Sequence, residues 1–204
     1  MNQDNQVRLN IGTGQTYIPE FTNISHSSQA DLQLELGKDK LPFEDNSVDF
    51  IFSYHALEHS SDYLFALSEI HRILKHGSLF LLGLPYVTLT KYHLVNPYHL
   101  HNFNEYSFDF FDPQKTLNGD KNNKIFFEKS FHRFHYIGAF NLLPPPFRSW
   151  CREHLFNVVR KIDYGLIAIK EPNVKISSYD PQTMIYKFDQ CLDACRAYHS
   201  TINN

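Results

Sequence analysis

The fold is decided by the segment LPFEDNSVDFIFSYHALEH at residues 41–59, followed by ALSEIHRILKHG at 66–77 and the apolar run SLFLLGL at 78–84. Residues 48–54 are an apolar run of strand length between polar residues, which is typical of a strand buried on both faces. Apolar side chains then repeat at helical spacing, with Ser60 or Ser61 able to cap the start of a helix and Gly77 placed at its end. The segment therefore predicts a strand, a helix and a second buried strand in succession.

A glycine turn precedes this segment. Residues 7–11 are a short apolar-rich run that ends at Gly12-Thr-Gly14, which indicates a strand entering a turn that glycine tolerates best. Only residues 15–20 separate this turn from the next strand candidate at 21–25, whereas a parallel crossover with its helix needs at least about 10 to 12 residues. We therefore expect the first helix of this βαβ unit to be shortened or absent.

The rest of the pattern completes an α/β chain. The further elements predicted are strands at 31–36, 124–135 and 164–170, a short helix from Asn104 to about residue 111 and a helix at 144–162. Strands that alternate with helices behind a glycine turn indicate a Rossmann-like α/β sheet with helices on both faces. Residues 87–103 form a long irregular segment of the kind that carries functional side chains in a compact domain.

The C-terminal tail carries one apolar stripe at helical spacing, which includes Met184, Phe188 and Cys191. We assign residues 1–171 to one domain and expect residues 172–204 to pack on it as a helical extension. This extra helix would cover the sheet face that the shortened first helix leaves bare. A homodimer contact through the same stripe is the alternative.

The composition argues against several classes of function. The 204 residues have a net charge of −3 and scattered Lys and Arg residues, so no concentrated basic face for nucleic acid is predicted. No run of 18 consecutive apolar residues predicts a membrane span. The three cysteines contain no CxxC pair, which favours free thiols in a reducing compartment. We therefore expect a cytoplasmic protein with neither a nucleic-acid partner nor a membrane span.

The glycine turn and the block at residues 41–84 together resemble the class I S-adenosylmethionine-dependent methyltransferases, in particular the small Methyltransferase type 11-like family. The pattern of that family runs through an LPF-D-S-D loop, a strand, the tripeptide LEH, a helix ending R-LK-GG and a further strand. The resemblance is specific from Arg8 to about Pro85 and looser to Lys170. It implies S-adenosyl-L-methionine as the cofactor and methyl transfer as the reaction.

The resemblance also implies roles for individual positions. Gly12 and Gly14 match the motif that cradles the methionine portion of the cofactor. Glu35 and Leu36 match positions that contact adenine, and Ser53, Tyr54 and His55 match the strand end that faces the transferring methyl. Ser25 stands where family members commonly carry an acidic residue for the ribose hydroxyls, and a hydroxyl offers weaker hydrogen bonds than a carboxylate.

Histidines are the candidates for proton transfer, because methyl transfer from a sulfonium needs alignment and sometimes the removal of a proton. His55 and His99 are the predicted catalytic residues, since both would lie at the carboxyl edge of the sheet. A structural role for each is the alternative. Spacing fixes no third ligand for a His-x-His pair and no HExxH or Cys/His finger motif occurs, so no metal site is predicted. The histidines considered were His93, His99 and His101 in one loop and His132 and His135 in a strand. Glu58 and His59 are interpreted as structural residues at a helix start.

The sequence therefore predicts methyl transfer from S-adenosylmethionine to an oxygen or nitrogen of a small-molecule or sugar-type acceptor, with no nucleic-acid or membrane partner. The alternative is a catalytically inactive binding or regulatory protein that keeps the methyltransferase fold. Ser25 and the reduced first helix favour this alternative.

Overall fold

A computed structural model describes residues 6–12, 16–115, 124–171 and 179–202. The described residues form a seven-stranded sheet, whose strands are β1 (Arg8–Ile11), β2 (Thr22–Ser25), β3 (Leu32–Gln33), β4 (Val48–Tyr54), β5 (Leu74–Pro85), β6 (Phe127–Tyr136) and β7 (Val159–Ala168). The strand order is β3-β2-β1-β4-β5-β7-β6, and β7 runs antiparallel to both of its neighbours. The predicted α/β sheet is confirmed.

Helix α1 (Tyr63–Ile73) connects β4 to β5, as the apolar repeat predicted, but its predicted ends were wrong. Asp62 is the N-cap in place of Ser60 or Ser61, and its Oδ1 accepts a hydrogen bond from the N–H of the third helical residue at 2.9 Å. At the other end β5 begins directly after the helix. Gly77 therefore lies inside the strand, where its φ of 77° accommodates an irregular backbone.

No helix is present among residues 16–21, which connect β1 to β2 in the described part of the chain. A buried amide organises this connection instead. The Oδ1 of Asn23 accepts hydrogen bonds from the Ile18 backbone N–H and the Asn10 side chain, both at 2.9 Å. The backbone N–H of Asn23 donates to Asp31 at 2.7 Å. The sequence predicted a first helix that is shortened or absent, and among residues 16–21 side-chain hydrogen bonds to the backbone stand in its place.

Helix α3 (Pro181–Ile202) covers the sheet face beside this connection. Met184 and Phe188 are fully buried and pack in one cluster with side chains of the sheet. The sheet residues of that cluster include Phe52, Leu79, Leu81, Phe131 and Ile167. The apolar stripe of the tail is thus already covered within one chain, and nothing supports the alternative of a homodimer contact through it.

A charge network ties α3 to the sheet edge. The Arg133 guanidinium on β6 contacts Asp163 at 2.8 Å and Asp189 of α3 at 2.6 Å. Asp163 is fully buried and also pairs with Lys161 at 2.9 Å and His135 at 2.5 Å. Burial alone favours the protonated carboxyl, but the His135 hydrogen bond and the Lys161 charge hold the pKa of Asp163 below its usual value. The buried carboxylate is therefore fully paired.

The opposite face of the sheet is covered by α1 and by the segments that follow β5, and two predicted helices are corrected here. The helix predicted at 144–162 ends early, as α2 (Pro145–His154), because Asn157 has a left-handed φ of 60° and the chain re-enters the sheet as β7. The helix predicted from Asn104 is reduced to a single turn at Asp109–Phe111. No helix among the described residues is long and apolar enough to cross a bilayer.

Candidate active site

A cavity of about 650 Å³ lies at the carboxyl ends of β1, β2 and β4 and beside the segment after β3. Strand β1 pairs with β2 on one side and with β4 on the other, so the chain order reverses at this point of the sheet. Ligands of open α/β sheets bind at such switch points, and the volume is in the range of small-molecule sites. The polar and glycine residues that line the cavity include Gly12, Ser25, His26, Glu35, His55, His59, Ser60 and Tyr98.

Gly12 lies in the cavity wall, close to the residue that follows β4. Its φ is 88°, and its backbone N–H donates to the Ile24 carbonyl at 2.7 Å. A Cβ at this position would lie 2.0 Å from the Cβ of Ala56, which follows β4. Gly12 is therefore pressed against the residue that follows β4, at a position where only glycine fits. Gly14 lies outside the described residues.

The ends of β2 and β3 bring Ser25, Glu35 and Leu36 to the same cavity. The Leu34 N–H donates to the Ser25 carbonyl at 2.9 Å, which extends the pairing of the two strands and sets Glu35 just beyond the sheet edge. Among the described residues that line the cavity, Glu35 alone carries a carboxylate. It is half-exposed and lies 3.2 Å from the Lys38 ammonium.

The end of β4 divides its predicted residues between two environments. His55 lines the cavity, with a left-handed φ of 52° and a backbone N–H that donates to Gly83 at 2.9 Å. Ser53 is buried within the strand and is not a lining residue. Tyr54 belongs to the cluster under α3, 6.4 Å from the Phe188 ring. Alternation along the strand sends the Tyr54 side chain away from the cavity.

Glu58 pairs with the ring of His55. Its side chain is fully buried, and its Oε1 lies 3.0 Å from the His55 Nδ1. A carboxylate only accepts hydrogen bonds, so the proton of the His55 ring is on Nδ1 and Nε2 keeps its lone pair. The Glu58 carbonyl also accepts the Leu100 N–H at 2.8 Å, which fastens the segment after β5 onto the end of β4. Sequence reasoning treated Glu58 as structural and missed this pairing.

The segment after β5 brings His99 to the same end of the sheet, although it does not line the cavity. The His99 Nδ1 lies 2.7 Å from the Nδ1 of His93, and its ring centroid lies 4.6 Å from that of His59. Burial lowers the pKa of both His93 and His99 below the usual value, which favours neutral rings at pH 7. His101 is separate from this group and contacts the Ser60 carbonyl at 2.7 Å.

Part of the sequence is similar to a known protein family. The family model described as "Methyltransferase domain" matches residues 13–82. A comparison with curated proteins finds no match.

Solved structures share the fold. A chain from the complex of the Haloferax volcanii Trm112 methyltransferase activator has a TM-score of 0.54 and 17% identity, over 81% of this chain and 83% of that chain. The YcgJ protein of Bacillus subtilis has a TM-score of 0.52 and 17% identity, over 82% of this chain and 94% of that chain. A SAM-dependent methyltransferase of Archaeoglobus fulgidus has a TM-score of 0.53 and 12% identity, over 79% of this chain and 86% of that chain. The matched segment and the shared sheet topology show that this chain is similar in fold to S-adenosylmethionine-dependent methyltransferases.

Proposed function

We propose that this protein transfers the methyl group of S-adenosylmethionine to an oxygen or nitrogen of a small-molecule or sugar-type acceptor. The observation that carries the proposal is the cavity at the switch point of the sheet, where Gly12 and a carboxylate-paired His55 line the same wall. The three cysteines are unpaired, which supports a reducing compartment, and we propose the cytoplasm.

The residues of the cavity fit the cofactor. Gly12 has no side chain, and Ala56 occupies the space that a Cβ would fill, so the ends of β1 and β4 form one continuous part of the cavity wall. Ser25 offers a hydroxyl where related proteins place an acid, and the Glu35 carboxylate lies one residue beyond the Ser25–Leu34 hydrogen bond. We propose that Glu35 supplies the charged acceptor for the ribose hydroxyls in place of the acid missing from β2.

The bound cofactor would supply a methyl group on a positively charged sulfur, which leaves as a thioether when the acceptor attacks in line. The chain's own contribution is alignment and removal of the acceptor's proton. His55 is suited to take this proton, because Glu58 holds its Nδ1–H and leaves the Nε2 lone pair available. His99 is the second candidate for the same step, through its own Nε2.

Cofactor binding tests the first part of the proposal. Isothermal titration with S-adenosylmethionine and S-adenosylhomocysteine should give saturable 1:1 binding to the native protein. Glu35→Gln should weaken it by about tenfold or more, because charge-assisted hydrogen bonds to the ribose are lost. Glu44→Gln is the matched control, since this exposed glutamate carries the same charge outside the cavity, and it should bind normally. Absence of any heat with the native protein would overturn the proposal.

Turnover tests the second part. Release of S-adenosylhomocysteine would be followed with a panel of hydroxyl- and amine-bearing small molecules and sugars. For an accepted compound, His55→Asn should lower the rate by about 10²–10⁴. Asparagine is chosen because it tolerates the left-handed backbone at this position. Cofactor binding without turnover on any compound would favour the inactive binding protein instead.

A further inference from the structure

The Glu58 carboxylate is only half-paired. Its side chain has no solvent exposure, and its Oε1 contacts the His55 ring at 3.0 Å. Its Oε2 is buried without a hydrogen-bond partner among the described residues. An ionised carboxylate taken out of water is strongly unfavourable unless each oxygen finds a donor or a cation. The unpaired Oε2 therefore indicates that a bound cation or hydrogen-bond donor completes the surroundings of this carboxylate.

Two neighbouring histidines, His59 and His99, each have one ring nitrogen with an unused lone pair. The His59 Nδ1 lies 2.9 Å from the Tyr98 carbonyl, which only accepts, so the His59 proton is on Nδ1 and its Nε2 is free. The His93 Nε2 donates to Asn102 Oδ1 at 2.8 Å, so its Nδ1 must accept the proton of the His99 Nδ1 at 2.7 Å. The His99 Nε2 then also keeps its lone pair.

The side chains of Glu58, His59 and His99 come together at one point. One ligand atom from each of Glu58, His59 and His99 lies within 4.8 Å of the other two. We infer that the three side chains form a binding site for a divalent first-row transition metal, such as Zn²⁺, Fe²⁺ or Mn²⁺. Two imidazoles and one carboxylate are a known ligand set for such ions, whereas Mg²⁺ and Ca²⁺ prefer oxygen ligands alone. This inference does not depend on methyl transfer.

The surroundings match what metal ligands require. A ligating histidine nearly always donates its second ring N–H to a carbonyl or another acceptor, which sets the tautomer and the ring orientation. His59 does so to the Tyr98 carbonyl and His99 does so to His93.

The site adjoins the cavity, because His59 lines it and Glu58 contacts His55 on the same wall. Three protein ligands leave coordination positions for water or for an acceptor oxygen, whose pKa the ion would lower. With the metal bound, the His99 Nε2 is occupied and cannot take a proton. His55 then remains as the proton acceptor, so the metal would settle which of the two histidines acts.

The test is direct metal binding to the full-length chain without cofactor. Chelator-treated protein would be titrated with Co²⁺ as a visible-absorption probe and with Zn²⁺ by isothermal titration. We expect one ion per chain, with Co²⁺ bands of nitrogen and oxygen ligation. His59→Ala and His99→Ala should each weaken binding at least about tenfold, which is about 1.4 kcal/mol. His154→Ala, an exposed histidine of α2, is the matched control and should bind like the native protein.

Two results would overturn the inference. One is the absence of saturable 1:1 binding, and the other is equal affinity in His99→Ala and His154→Ala, which would mean that the ions bind to scattered surface histidines. Thermal unfolding of each variant shows whether it is folded. Zn²⁺ should raise the Tm of the native protein and not that of His99→Ala, since a ligand that binds only the folded state stabilises it. Failure here would leave S-adenosylmethionine binding untouched, so the two proposals are distinguishable.

Discussion

Gly12→Ala is the substitution that tests the cavity wall most sharply. Two separate penalties apply at this position. The φ of 88° is a left-handed conformation, which costs a residue with a Cβ about 1–2 kcal/mol. The new Cβ would also lie 2.0 Å from the Cβ of Ala56, and relieving such an overlap costs about 1–3 kcal/mol.

We therefore expect Gly12→Ala to lower the free energy of unfolding by about 2–5 kcal/mol. Ala56→Gly removes the atom that clashes, and the next backbone atom of residue 56 would lie 3.3 Å from the new Cβ. The double variant should recover the steric part and keep the backbone part, which gives a coupling energy of about 1–3 kcal/mol.

The assay is urea denaturation of the native protein, the two single variants and the double variant, followed by circular dichroism. Titration with S-adenosylmethionine should follow the same order, with affinity lost in Gly12→Ala and partly restored in the double variant. The reasoning fails if Gly12→Ala unfolds within about 0.5 kcal/mol of the native protein, which is the usual effect of a neutral surface change. It also fails if the coupling energy is zero.

Two further predictions concern stability. His71 is buried and donates its Nε2–H to the Ile169 carbonyl at 3.0 Å, and burial lowers its pKa to about 4. In the unfolded chain the His71 ring takes up a proton near its ordinary pKa of 6.5. The stabilisation that comes from burying the neutral ring is therefore complete above pH 6.5. The free energy of unfolding should fall by about 3 kcal/mol as the pH drops from 6.5 to about 4, and His71→Gln should flatten this slope in urea titrations at several pH values. An unchanged slope in His71→Gln would contradict the assignment. Phe188→Ala should cost about 3–5 kcal/mol in the same assay, because the fully buried ring of α3 packs 5.2 Å from that of Phe52. Tyr186→Ala, on the exposed side of α3, should change stability by less than about 0.5 kcal/mol, and equal losses in the two variants would refute the packing.

Helical and strand periodicity predicted much of the fold, because burial repeats along the chain with the period of each element. The strand at 48–54 is found as β4 with the predicted bounds, and the stripe containing Met184 and Phe188 packs on the sheet. The ends of elements were harder to predict. Gly77 is a good helix stop by itself, yet the helix ends earlier because β5 must begin in register with β4.

The sequence by itself determined the α/β class, the glycine turn and the histidines near the carboxyl edge, because these depend on local periodicity and on residue type. Only the tertiary structure decided which side chains meet. Glu58 and His99 are far apart in sequence, and they approach because the Leu100 N–H donates to the Glu58 carbonyl. The strand alternation that keeps Tyr54 out of the cavity likewise depends on which face α3 covers. Contacts between distant segments come from the packing of the whole sheet, and no spacing within one segment encodes them.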